Sequence, residues 1–105
     1  MSGVVRFRRS PQALWRRVGA GYVVGTKEDA EVHELLGGAA AVWDGLAIAR
    51  SRSGLVAELG SIHGVEPEEI RDQVEEVLER LLELGVIEQV VEMGVELGEV
   101  VQIDA

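Results

Sequence analysis

Residues 65–85 read VEPEEIRDQVEEVLERLLELG and leave little choice of local structure. Ile70, Val74, Val77, Leu78, Leu81, Leu82 and Leu84 recur at i, i+3, i+4 and i+7, the spacing of a helix with one apolar face. Pro67 suits a first helical position, where its missing N–H is not needed. Glu68 and Glu69 set negative charge against the positive end of the helix dipole. Gly85 follows as the residue able to turn left-handed and end the helix. The outer face carries eight carboxylates (Glu66, Glu68, Glu69, Asp72, Glu75, Glu76, Glu79, Glu83) against Arg71 and Arg80. Whatever the chain binds must accommodate that charge.

The 105 residues allow one small domain with a single modest core. Cysteine is absent, so neither disulfides nor thiolate metal sites are available, and a cytoplasmic location is expected. No apolar run approaches the ~20 residues of a membrane span, and the start is unsuited to a secretory signal. The net charge of −9 is unevenly spread. Residues 1–27 hold Arg6, Arg8, Arg9, Arg16, Arg17 and Lys27 and no acid, while all 19 acids follow. Such asymmetry marks either a basic arm for nucleic acid or a dipolar surface that orients a partner.

Residues 1–12 read as that basic arm, with a weak alternation that allows a short edge strand. Two β-like segments follow from Ala13, LWRRVG and YVVGTK, joined by a Gly19-Ala20-Gly21 turn. Ala30 to Leu36 is a third short strand or a helix; periodicity does not decide between them. From Gly37-Gly38 the pattern turns helical, with Ala39, Val42, Trp43 and Leu46 on one face. Gly45 within it weakens the helix by ~1 kcal/mol relative to Ala. A second helix is predicted with Ser53 as N-cap, Leu55, Val56, Leu59 and Ile62 inward, and Gly64 at its end. Residues 89–105 alternate apolar and acidic positions and read as a strand-like tail. The expected fold is α+β and winged-helix-like, a three-stranded antiparallel sheet on three helices with a C-terminal strand or hairpin. The core domain spans 13–88.

Catalytic patterns are missing. His33 and His63 lie on different elements, and no nucleophile elbow, phosphate loop or dinucleotide turn is present. A non-catalytic binding module is expected, with no cofactor and no metal.

Four blocks in order carry a family resemblance: LLGGAAAVW at 35–43, LVAEL at 55–59, HGVEPEEI at 63–70 and LLELGVI at 81–87. Their order and spacing resemble the PqqD-like family of RiPP recognition elements over roughly residues 11–88. Leu36, Gly38 and Glu66 depart from the family's usual polar, Ser/Thr and Asp residues at their positions. The resemblance implies that the domain binds the leader of a ribosomally made precursor peptide, as an added strand in a groove beside the last helix. It also implies a modifying enzyme as partner, such as a radical-SAM enzyme, a peptidase or a cyclase. The expected peptide-binding residues are Ala30, Val32, His33, Glu34 and Leu35 on the strand, with Arg71, Val74, Glu75, Leu78 and Leu81 on the helix. For Val74, Leu78 and Leu81 a plain core role competes with that assignment. Strand addition is also what an unpaired sheet edge invites physically.

The alternative is a winged-helix DNA-binding protein. There the last helix would enter the major groove and bring eight carboxylates against phosphate, so no nucleic-acid or membrane partner is expected. The tail is expected to pair with a sheet edge, in its own molecule or in a strand-exchange homodimer.

Overall fold

The computed structural model of the protein describes residues 3–92. The elements run β1 (Val4–Arg9), β2 (Ala13–Val18), β3 (Gly21–Thr26), β4 (His33–Leu35), α1 (Gly38–Gly45), β5 (Arg50–Ser51), α2 (Arg52–His63), α3 (Pro67–Leu84) and β6 (Ile87–Glu92). The α+β architecture expected from the sequence is present. β2 and β3 form a hairpin in which Val18 faces Gly21 across a two-residue turn. Only the first turn residue, Gly19, has a positive φ (61°), the pattern of a type II′ turn. β4 adds antiparallel on the other side of β3, with Tyr22 opposite Leu35 and Val24 opposite His33. The sheet order is β2-β3-β4, so β4 is an edge.

A second sheet, β5-β1-β6, was not expected. The basic segment at the start forms its central strand, with β6 pairing antiparallel from Arg9–Ile87 to Val4–Glu92. The described part of the tail therefore pairs within its own molecule and away from β4. The remaining tail, and any strand exchange through it, lies outside the described residues.

The three helices form where glycine and proline punctuation dictates. Gly64 (φ 69°) and Gly85 (φ 77°) end α2 and α3 in the left-handed conformation. Glu66 makes no side-chain cap bond, so α3 starts on Pro67 and the first-turn carboxylates Glu68 and Glu69. α2 begins two residues earlier than expected. Ser51, not Ser53, is the cap: its extended backbone lets Oγ accept from Gly54 N–H at 3.1 Å.

Their inward faces meet the sheets in one core of Phe7, Tyr22, Val24, Leu35, Trp43, Leu55, Leu78 and Leu81, among others. Ile62 does not join it and stays 61% exposed. At its level α1 offers Ala41, Asp44 and Gly45 and no large apolar side chain, leaving a hollow of about 210 Å³ beside it. Gly45 is required by packing: a Cβ there would lie 2.6 Å from Cδ1 of the fully buried Leu55. Helix propensity alone predicts that Gly45→Ala stabilises by ~1 kcal/mol. Overpacking predicts a loss of ~1–3 kcal/mol, and it is expected to outweigh the propensity gain because the added Cβ meets a side chain that is 0% exposed in the core. Urea unfolding of the variant is expected to show a lower midpoint.

Candidate functional site

The outer edge of β4 has no partner strand among the described residues. The strand is shorter than the sequence implied. Only residues 33–35 pair with β3, because the preceding segment is held in turns by Asp29 N–H to Thr26 and Glu31 N–H to Asp29 Oδ1 at 3.0 Å. Ala30 and Val32 precede the strand and are exposed.

The chain leaves β4 directly into an apolar cleft of about 270 Å³. Gly37, Gly38, Ala41 and Val42 of the α1 start form one wall, and Ile70, Gln73, Val74 and Val77 of α3 form the other, with Leu59 and His63 of α2 completing it. The two residues opening α1 line it without side chains. No heavy atom lies within 4 Å of where a Cβ at either Gly37 or Gly38 would sit. A free strand edge thus runs up to an open apolar slot, both on elements fixed by the core.

The residues anticipated for this site divide. His33 is half-buried and Glu34 exposed on β4, and Val74 is in the cleft wall. Leu35 (0% exposed), Leu78 (1%) and Leu81 (0%) are core side chains, without free surface to offer a ligand. Arg71 and Glu75 occupy the opposite flank of α3 from Gln73 and Val77. Glu75 is ion-paired with Arg52 at the start of α2, and Arg71 contacts Glu68 at 3.4 Å. The structure therefore does not bring either to the cleft. Ile70, Gln73, Val77 and the Gly37-Gly38 pair were missed. The signal for them was the double glycine opposite a helix flank of medium apolar residues.

Asp29, Glu31 and His33 place one ligand atom each within 4.8 Å of one another, the one described grouping with metal-ligand spacing. The two carboxylates are exposed, and three such donors fall short of a closed structural zinc set.

Beside the site an aromatic cluster joins the two sheets. The Arg9 guanidinium lies 4.7 Å from the Trp15 ring centre and 4.6 Å from that of Trp43, and its Nη2 donates to the Trp43 carbonyl at 2.7 Å. Burial draws the Arg9 pKa down, opposed by Tyr22 and Asp44, yet arginine remains charged. Tyr22 O–H donates to the Asp44 carboxylate and receives Arg17 Nη1 at 3.3 Å. The indole N–H of Trp43 is buried without an acceptor among the described residues.

The family model described as Coenzyme PQQ synthesis protein D (PqqD) matches residues 21–87, from the start of β3 to the start of β6. Searches of curated proteins and of solved structures returned no match.

Tyr22 is the single tyrosine, so its titration can be read without ambiguity. The hydrogen bond to Asp44, then burial, raise its pKa above the usual 10.0. A pKa raised in the folded state means stability that is fully present below about pH 10 and is lost as pH rises through the shifted value. An absorbance titration is expected to show phenolate forming later than in the unfolded chain. Tyr22→Phe should remove that alkaline slope and lower stability by ~1–3 kcal/mol, as expected for a bond to a charged acceptor.

Proposed function

Because this chain belongs to the PqqD family, we propose that it is a non-catalytic recognition element for the leader of a ribosomally made precursor peptide. The leader adds antiparallel to the open edge of β4 and seats an apolar side chain in the cleft between α1 and α3. The bound precursor is then presented to a modifying enzyme. The observation that carries this reading is the continuity of edge and cleft: β4, whose outer edge is unpaired among the described residues, ends at Leu35, two residues before Gly37, which lines the slot.

The energetics suit a carrier that must release its client. With β4 only three residues long, about three backbone hydrogen bonds at ~0.5–1.5 kcal/mol each are available. One buried apolar anchor adds ~1.5–3 kcal/mol. Contacts from flanking leader residues have to offset the ordering of a flexible peptide, so affinity near micromolar is the upper range.

DNA binding is less well supported by the same surfaces. The acidic outer face of α3 repels phosphate. The basic segment is also committed elsewhere, since Arg8 is paired with Glu88 at 2.6 Å and Arg9 lies between two indoles.

Two variants test the proposal by calorimetric titration with a synthetic leader segment of a ribosomally made precursor peptide. Ala41→Trp fills the cleft from its half-buried wall and is expected to weaken binding at least about tenfold while the helical circular dichroism is kept. Arg71→Glu, on the other flank of α3, is expected to leave affinity within about twofold. Unchanged binding by Ala41→Trp would show that the cleft is not the anchor pocket.

A further inference from the structure

The sheet β2-β3-β4 has a second face, turned away from the helices. Side chains alternate across a strand. Tyr22, Val24 and Leu35 point into the core, so Gly21, Val23 and Gly25 of β3 mark the outer face. Cross-strand partners share a face, which places Leu14, Arg16 and Val18 of β2 there, with Glu34 of β4. Leu36 and Val32 flank β4 on the same side: a Cβ at Gly21 would meet Leu36 Cδ2 at 2.6 Å, and one at Gly25 would meet Val32 Cγ1 at 3.4 Å.

The face is a small grid of three rows. Val18, Gly21 and Leu36 form one outer row and Leu14, Gly25 and Val32 the other. Arg16, Val23 and Glu34 run across the middle. The four corners are exposed large apolar side chains: Leu14 52%, Val18 50%, Val32 68% and Leu36 58%. Arg16 and Glu34 stand at opposite edges, both exposed and neither in an ion pair among the described residues.

This pattern is complementary to itself. A twofold axis in the contact plane, parallel to the strands, exchanges left and right edges without exchanging rows. Arg16 then lies opposite Glu34 of the second copy, Leu14 opposite Val32, Val18 opposite Leu36, and Val23 on its own mate. The other in-plane axis would set Arg16 against Arg16 and Glu34 against Glu34. Charge therefore selects one arrangement, an aligned sheet-on-sheet contact ~10 Å deep.

We infer that the chain forms a reversible homodimer through this outer sheet face, with reciprocal Arg16–Glu34 pairs. Each pair off the axis occurs twice, as an isologous interface requires. The surface removed from water is on the order of 1,000 Å² over both copies, the low end for a specific contact. A dissociation constant of roughly 10–500 µM follows once association entropy is subtracted. The dimer leaves the edge of β4 and the cleft open, so it does not depend on the peptide-binding reading.

Sedimentation equilibrium of the full chain, from about 10 µM to about 1 mM at low salt, tests it. The native protein is expected to show a monomer–dimer equilibrium. Arg16→Glu and Glu34→Arg should each raise the dissociation constant about tenfold or more, because each creates two like-charge contacts. The combined R16E/E34R exchange should return it to within about threefold of the native value. A native chain that stays monomeric to about 1 mM overturns the inference. So does a dimer indifferent to the single reversals, or a double variant as weak as the singles. Both substituted positions carry exposed charges, and circular dichroism of each variant checks that the fold is kept.

Discussion

The Arg9 guanidinium held between Trp15 and Trp43 is the contact on which the arrangement of this domain depends. No strand of the β5-β1-β6 sheet pairs with a strand of the β2-β3-β4 sheet. Backbone hydrogen bonds therefore cannot fix one sheet against the other. Arg9 is the last residue of β1, Trp15 belongs to the β2–β3 hairpin, and Trp43 is in α1. One side chain thus joins both sheets and a helix, at ~0.5–2 kcal/mol for each aromatic face. Its donation to the Trp43 carbonyl also satisfies a helix group near α1's end. Arg52 over Phe7, 5.0 Å from the ring, is a second cation–ring contact on β1.

That fixed arrangement explains how an unpaired edge can persist. Exposed strand edges invite association, and short strands with nearby charge blunt the risk. β4 offers only three paired residues, and exposed Glu31 and Glu34 flank or occupy it. The edge is therefore too short to template indiscriminate pairing, but a ligand that also fills the adjoining slot gains a second source of affinity. In the proposed reading, edge and cleft separate two tasks, backbone registration and side-chain choice.

The parts of this fold legible in the sequence were those set by local rules. α3 was readable to the residue at Pro67 and Gly85, because a long apolar periodicity and both end signals agreed. The II′ turn at Gly19 and the stop at Gly64 are of the same kind. The pairing of β1 with β6 was not legible, since Arg6 and Val90 are joined by no pattern that spans the chain between them. Periodicity identified the buried stripe of α3, but it could not say which flank faces α1 and which faces α2. Arg71 and Glu75 were consequently placed at the groove, while Gln73 and Val77 line it. The cleft itself escaped because Gly37 and Gly38 line it without side chains.

The pairing of Val4 with Glu92 has a mechanical consequence. Tension applied at those two positions acts across the β1–β6 ladder, along its hydrogen bonds and not along its strands. The ladder then opens as a zipper, one rung at a time, from Val4–Glu92 toward Arg9–Ile87. The peeling front reaches the buried Phe7 ring and then the Arg9 sandwich, where a single step must release two rings and a carbonyl together. A molecule held at these two positions would therefore yield softly and then stop, with the β2-β3-β4 half of the domain still intact.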